Sequence, residues 1–225
     1  MPPPLPFVSR VSPWLQLVIV LCVLSGCSPA RVTSGGQTDP DTVPLSASVT
    51  GRIAVLPGFD PEASAVDGQI APFVAAGLDS LRAGAGGEPS EVVPLPEEVL
   101  DSLYTLASVY PRAPLTGPLR ERIRSVTGAS YVVYLVVPGM SSWEVRERGD
   151  FGYGGMYTAG SAYDGTRATA LGVVWDMTTG DVLWSGVAYV EAVGGRGRLE
   201  VLGDDPMTTL RPRLARQLAK EIVGV

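Results

Sequence analysis

Seven consecutive residues, Tyr131-Val132-Val133-Tyr134-Leu135-Val136-Val137, are apolar at odd and even positions alike, and all but one are β-branched or aromatic. Side chains of an extended segment alternate between the two faces of a sheet. Such a run therefore reads as a strand covered on both sides, or at least well inside its sheet. The rest of the chain has to supply the cover.

Upstream, Arg52-Ile53-Ala54-Val55-Leu56-Pro57 reads as a short buried strand ended by the Pro57-Gly58 turn. Ile70, Phe73, Val74, Gly77, Leu78 and Leu81 recur at helical spacing before Gly84. Residues 91 to 95 offer a second short strand. Pro96 with Glu97 and Glu98 behind it is a helix start suited to the dipole, followed by a stripe of Val99, Leu100, Leu103, Leu106 and Ala107. Thr116 is placed to cap a third helix, with Leu119, Ile123 and Val126 inward and Gly128 at its end. Downstream, residues 166 to 176 and 182 to 193 form a hairpin whose turn offers Gly180 for the left-handed position, with Trp175 and Trp184 expected near one another across it. A last helix is capped by Asp205, starts at Pro206, buries Leu210, Leu214, Leu218 and Ile222, and keeps Arg211, Arg213, Arg216 and Lys220 in water. The order β, α, β, α, α, β, β, β, α implies a single-domain α/β sandwich with a mixed β-sheet and packed helices.

The amino terminus has a different character. Residues 1 to 10 are Pro-rich with one basic residue, and residues 11 to 24 form an apolar run broken by Pro13 and Gln16. That run falls short of the ~20 residues of a spanning helix and reads as a secretory signal. Leu24-Ser25-Gly26-Cys27 follows it, and this pattern resembles the lipobox of bacterial lipoproteins. The resemblance implies a signal peptide over 1–26, a diacylglycerol on the Cys27 thiol and a further acyl chain, such as palmitate, on its amine. Several chains together hold firmly to a bilayer, so the membrane is reached through this lipid anchor. Ser28 after the cysteine resembles the sorting pattern for the outer membrane, with the body facing the periplasm. Residues 27–48 are rich in Ser, Thr, Gly, Pro and Asp and read as a lipidated flexible tether, which leaves 49–225 as the folded domain. Cys22 leaves with the signal, so the mature chain holds no disulfide and rests on its core.

Charge narrows the function. The chain carries 17 basic and 23 acidic residues, a net charge of −6 that falls to −7 when Arg10 departs with the signal. No basic stripe suited to nucleic acid stands out from the sequence. With no His, the chain lacks the commonest general base and the commonest metal ligand. Nucleophile-elbow, phosphate-loop and paired-cysteine motifs are absent, and the Gly clusters at 84–87, 152–155 and 194–197 miss the dinucleotide spacing. Glu97-Glu98 and Asp204-Asp205 sit at helix starts, where dipole complementation and capping explain them. No catalytic residue, metal ligand or cofactor is therefore assigned, apart from the covalent lipid on Cys27.

The opening strand, the passage Gly128-Ala129-Ser130-Tyr131-Val132-Val133, and Val174-Trp175-Asp176 with Thr179-Gly180-Asp181-Val182-Leu183-Trp184-Ser185-Gly186 look like the periplasmic domain of the curli-secretion (CsgG-like) lipoproteins. The TolB amino-terminal domain and the LpoB-type activators of penicillin-binding proteins share that fold, which the resemblance implies here over most of 50 to 224. An aromatic and Gly-rich stretch at 140–165 is inserted between two core strands. Trp143, Val145, Phe151, Tyr153 and Tyr157 fall on odd positions and Glu144, Arg146, Arg148 and Asp150 on even ones. A two-residue period makes this an amphipathic hairpin, and its aromatics with Met156 are what partner surfaces favour. Trp143, Phe151, Tyr153, Met156 and Tyr157 are thus the candidate partner contacts.

Two function classes follow. The favoured one is a non-catalytic assembly, secretion-accessory or cell-envelope protein-binding module that associates with itself or docks an envelope protein. The other is a hydrolase of envelope glycans, which needs two carboxylates roughly 5 to 10 Å apart in a cleft. The resemblance adds a secretion-channel subunit. Glu147 interrupts the apolar side of the first hairpin arm, and residues 194 to 205 are short, charged and Gly-rich where a channel would place a second hairpin.

Overall fold

The computed structural model describes residues 31–46, 48–57, 70–84, 86–110, 112–146, 162–195 and 206–225. Its strands are β1 (Arg31–Thr38), β2 (Ile53–Leu56), β3 (Glu91–Val92), β4 (Tyr131–Arg146), β5 (Ala162–Asp176) and β6 (Val182–Gly195). Its helices are α1 (Ala71–Arg82), α2 (Glu97–Val109), α3 (Gly117–Thr127) and α4 (Pro206–Val223). The strands form a six-stranded sheet in the order β1-β6-β5-β4-β2-β3. β2 is parallel to β3 and β4, and the remaining neighbours are antiparallel, so the sheet is mixed as expected.

The apolar run lies between β2 and β5, and its alternate residues enter two different cores. Val133 and Leu135 join Ile53, Val55, Val174 and Trp184 beneath α1 and α4. Val132, Tyr134 and Val136 join Ala54, Leu56, Val173 and Trp175 beneath α2 and α3. Each aliphatic side chain buried in this way contributes about 1.5–3 kcal/mol, so neither pair of helices is dispensable. Gly77 lets α1 approach α4: a Cβ there would stand 3.0 Å from that of Ala219. Leu210, Leu214, Leu218 and Ile222 are fully buried, as their spacing predicts.

The tryptophans correct one expectation. Val174 and Trp184 are register partners and share a face, which places Trp175, the next residue, on the other. Each indole finds its own acceptor. Trp175 Nε1–H donates to the Ala113 carbonyl at 3.1 Å, and Trp184 Nε1–H donates to Thr38 Oγ1 at 3.2 Å. The ring of Trp184 lies over the register pair Gly172 and Gly186, where an added Cβ would come within 2.9 and 2.5 Å of ring atoms.

The tether and the domain start at residue 49 are corrected as well. Arg31–Thr38 pairs with β6 along its length, from Arg31 opposite Val193 to Thr38 opposite Gly186. The polar composition of this segment argues against burial, but an edge strand is held by main-chain hydrogen bonds and needs few apolar side chains. The chain then buries Leu45, whose N–H donates to the Ile222 carbonyl at 2.7 Å. The folded body thus begins at or before Arg31.

Smaller differences have local causes. Thr116 stands at the N-cap in extended conformation without a side-chain capping bond, while Gly128 closes α3 at φ 59° as expected. The strand expected over 91 to 95 is cut to Glu91–Val92, with Val93 and Leu95 turned into the core beneath α2 and α3. Val126 is exposed, and Arg211, next to the inward-facing Leu210, is buried rather than wet.

Candidate functional site

The stretch at 140–165 is in part a continuation of the sheet rather than a separate insertion. β4 and β5 pair from Tyr131 opposite Asp176 to Val136 opposite Leu171; the register then shifts by one residue before resuming with Gly139 opposite Thr169 and running to Arg146 opposite Ala162. The shift falls at Val137-Pro138, a bulge that accommodates a proline with no N–H to give. β6 follows to Gly195 and β1 starts opposite Val193, so these four strands extend the sheet together.

The two faces of this extension differ. One carries Ala168 and Ala170 of β5 with Ala188, Val190 and Ala192 of β6, all buried beneath α4. The other carries Arg167, Thr169 and Leu171 of β5 with Val187, Tyr189, Glu191 and Val193 of β6, all half-buried or exposed. Helices α2 and α3 reach only the half of that face nearer Trp175. Among the described residues nothing covers the rest.

A polar ladder crosses this open face. Arg167 Nη2 pairs with Glu191 Oε1 at 3.0 Å, and the guanidinium lies 4.7 Å from the centre of the Tyr189 ring. Tyr189 in turn lies over Gly35 of β1, where a Cβ would stand 2.6 Å from the phenol oxygen. The glycine is required by this approach, not by its dihedral angles. An exposed Arg stacked on a Tyr within an extended, partly apolar face combines the residue types that dominate binding at protein interfaces.

Of the expected contacts, Trp143 lies on β4, opposite Gly165 and one pair beyond Ser142 opposite Thr166. Phe151, Tyr153, Met156 and Tyr157 lie outside the described residues, as do Cys27 and residues 1–26. Sequence reasoning missed Arg167, Tyr189 and Glu191. Their signal was present as a two-residue period: Arg167-Thr169-Leu171 and Val187-Tyr189-Glu191 alternate with Ala, Gly and Val.

Of the carboxylates weighed as acids, Glu97 and Glu98 lie in the first turn of α2, and Glu98 pairs with Arg122 at 3.0 Å. Asp79 and Glu88 share a small groove with Arg82, but Asp79 Oδ1 accepts the Ser90 N–H at 2.7 Å and Arg82 donates to the Val49 and Gly51 carbonyls. Those bonds tie α1 to the segments before β2 and β3. Asp204 and Asp205 lie outside the described residues. No described helix is long and apolar enough to cross a membrane.

No protein-family model matches the chain, and no curated protein sequence matches it. The chain does match solved structures. One is a PelC dodecamer from Paraburkholderia phytofirmans, at 15% identity over 87% of this chain and 98% of that one, with a TM-score of 0.39. A second is the hypothetical protein CT253 from Chlamydia trachomatis, at 12% identity over 79% and 100%, TM-score 0.45. A third is the lipoprotein GNA1162 from Neisseria meningitidis, at 16% identity over 77% and 99%, TM-score 0.35.

Proposed function

We propose that this chain is a lipid-anchored, periplasm-facing lipoprotein of the outer membrane, acting as a non-catalytic module that docks an envelope protein or a second copy of itself. The observation that carries the reading is the open sheet face: α4 seals one side of the extended strands, and the ladder of Arg167, Glu191 and Tyr189 is left on the other. A sheet face of partly buried apolar residues with a stacked Arg–Tyr pair gains by desolvation against a complementary surface. In this reading Trp143, Phe151, Tyr153, Met156 and Tyr157 contribute contacts to the same partner. Cys27 precedes the start of β1 by four residues, so acylation there would keep the folded body close to the membrane.

Crosslinking in native membranes tests this. Arg167→Ala, with Trp143→Ala as a second variant, is expected to reduce capture of the partner or of a second copy by about 30-fold, the equivalent of a hot spot of about 2 kcal/mol, with little change in melting temperature. Arg167 is exposed and its pairs lie at the surface, so folding does not depend on it. An unchanged crosslinking pattern in both variants would remove the face from the site.

A further inference from the structure

Arg213, Arg216 and Lys220 of α4 are all exposed, and their spacing sets them in one row along the helix. Among the described residues no carboxylate forms an ion pair with any of them. Glu221, the only acid of α4, is turned to other partners, accepting from Thr38 Oγ1 at 3.2 Å and from Gln217 Nε2 at 2.8 Å. In a chain of net charge −6, a cationic ridge that forms no ion pair among the described residues is suited to an anion.

The ridge separates two grooves. One, of about 320 Å³, lies between α4 and the start of β1, where Thr33, Ser34 and Gln217 add polar groups to the three cations. The other, of about 270 Å³, lies between α4 and α1; there Phe73 and Leu81 face Arg216 and Lys220, and Phe73 is 44% exposed. Cations and hydroxyls beside an exposed aromatic suit a phospholipid surface, where phosphates meet the cations and the ring enters the boundary region.

Chain length selects this occupant. β1 begins four residues after Cys27, and four residues span no more than about 14 Å. Resting on the lipid-anchor reading of Cys27, we infer that the body lies against the bilayer through its β1–α4 side, with Arg213, Arg216 and Lys220 on anionic phospholipid headgroups. A flexible tether as far as residue 48 would have let the body stand away; strand β1 removes that freedom. The face carrying Arg167 and Tyr189 is on the other side of the sheet from α4, so this orientation turns it away from the bilayer and toward a partner.

Full-length lipidated protein carrying a fluorophore at Ser80→Cys, beside the α1–α4 groove, is reconstituted into phosphatidylcholine vesicles with or without phosphatidylglycerol and with a headgroup-borne quencher. The same label at Ser102→Cys, on α2, is the control. Quenching at position 80 is expected to exceed that at 102 several-fold with phosphatidylglycerol. It should drop to the control level without that lipid, in about 0.5 M salt, and in the triple variant Arg213→Glu/Arg216→Glu/Lys220→Glu. If the triple variant lacks a cooperative melt, Arg216→Gln/Lys220→Gln takes its place and is expected to lose at least half of the difference. Equal quenching at both positions, or quenching indifferent to phosphatidylglycerol and salt, overturns the inference. The mass of the amino-terminal peptide reads acylation separately. Should acyl chains be absent, only the anchor fails, and protein added to preformed phosphatidylglycerol vesicles tests the ridge alone. There the triple reversal should weaken binding on the order of 100-fold, from about 1 kcal/mol per basic residue near the surface. Binding unaffected by the reversal, or displaced by a polyanionic glycan in preference to the vesicles, overturns the lipid assignment.

Discussion

Asp39 and Arg112 tie the end of β1 to the segment between α2 and α3 through a charge-assisted pair, which Arg112 Nη1 extends to Asp41 at 2.6 Å. Partial desolvation works to raise the pKa of Asp39, but the Asp41 N–H, the Arg112 guanidinium and the Ser185 hydroxyl together outweigh it and hold the carboxyl below its usual range. A carboxylate with a depressed folded-state pKa contributes stability that is present above its unfolded pKa and is lost as pH falls through the folded value. Melting temperatures should therefore decline on acidification below about pH 4, and Asp39→Asn should flatten part of that decline; parallel pH profiles for the two proteins would show that the pair does not carry it. Gly172 gives a second residue-scale test. Its Cβ would meet the Trp184 ring at 2.9 Å and Leu218 Cδ1 at 3.3 Å. Gly172→Ala is expected to cost about 1–3 kcal/mol in denaturant unfolding, as overpacking does in a filled core. No change would mean that the indole moves aside freely. Neither glycine beneath the ring was legible from sequence, because their contact arises from register between β5 and β6 rather than from any local pattern.

At the scale of elements, β1 is the instructive case. It closes the edge beyond β6, supplies the Trp184 acceptor through Thr38, and leads into the buried Leu45. A fragment of residues 49–225 loses all three and uncovers β6. Compared with 31–225 it should be destabilised by at least about 2 kcal/mol, from Leu45 alone, and should self-associate through the bared edge. Denaturant midpoints and sedimentation of the two fragments check this, and equal midpoints with a monomeric short fragment would return the segment to the role of a tether. The other elements were better foretold. Helices α1, α2 and α4 bury most of the apolar residues at the expected spacing, Phe73 of α1 being left exposed, and α3 ends at the left-handed Gly128. Periodicity reports such elements because each is amphipathic within its own length. β1 has no apolar stripe; its place depends on a partner 155 positions away on average in the register of Gly35 with Tyr189 and its neighbours, and main-chain pairing leaves no mark on composition.

For the whole molecule, the central prediction concerns attachment. Cys27→Ala should abolish acyl labelling and the mass of the lipid, and the protein should no longer be processed as a lipoprotein; unchanged labelling and mass would sink the anchor. Lipidated protein in planar bilayers is expected to give no conductance, since in the sequence Glu147 interrupts the alternate apolar positions between Trp143 and Tyr153, and stepwise currents would restore the channel reading. By itself the sequence determined the class of fold and the place of the central strand. A run apolar on both faces is stable only between two layers, and the surrounding helical stripes supply them. It also pointed to the hairpin of β4 and β5 through the two-residue period at Trp143 and Val145. Only the tertiary structure decided which faces are left open. Arg167 and Tyr189 become a stacked pair, and Arg213, Arg216 and Lys220 a ridge without ion pairs among the described residues, because strand register and helix docking choose their neighbours. Local patterns record which residues seek burial; they do not record which polar residues are brought together once burial is complete.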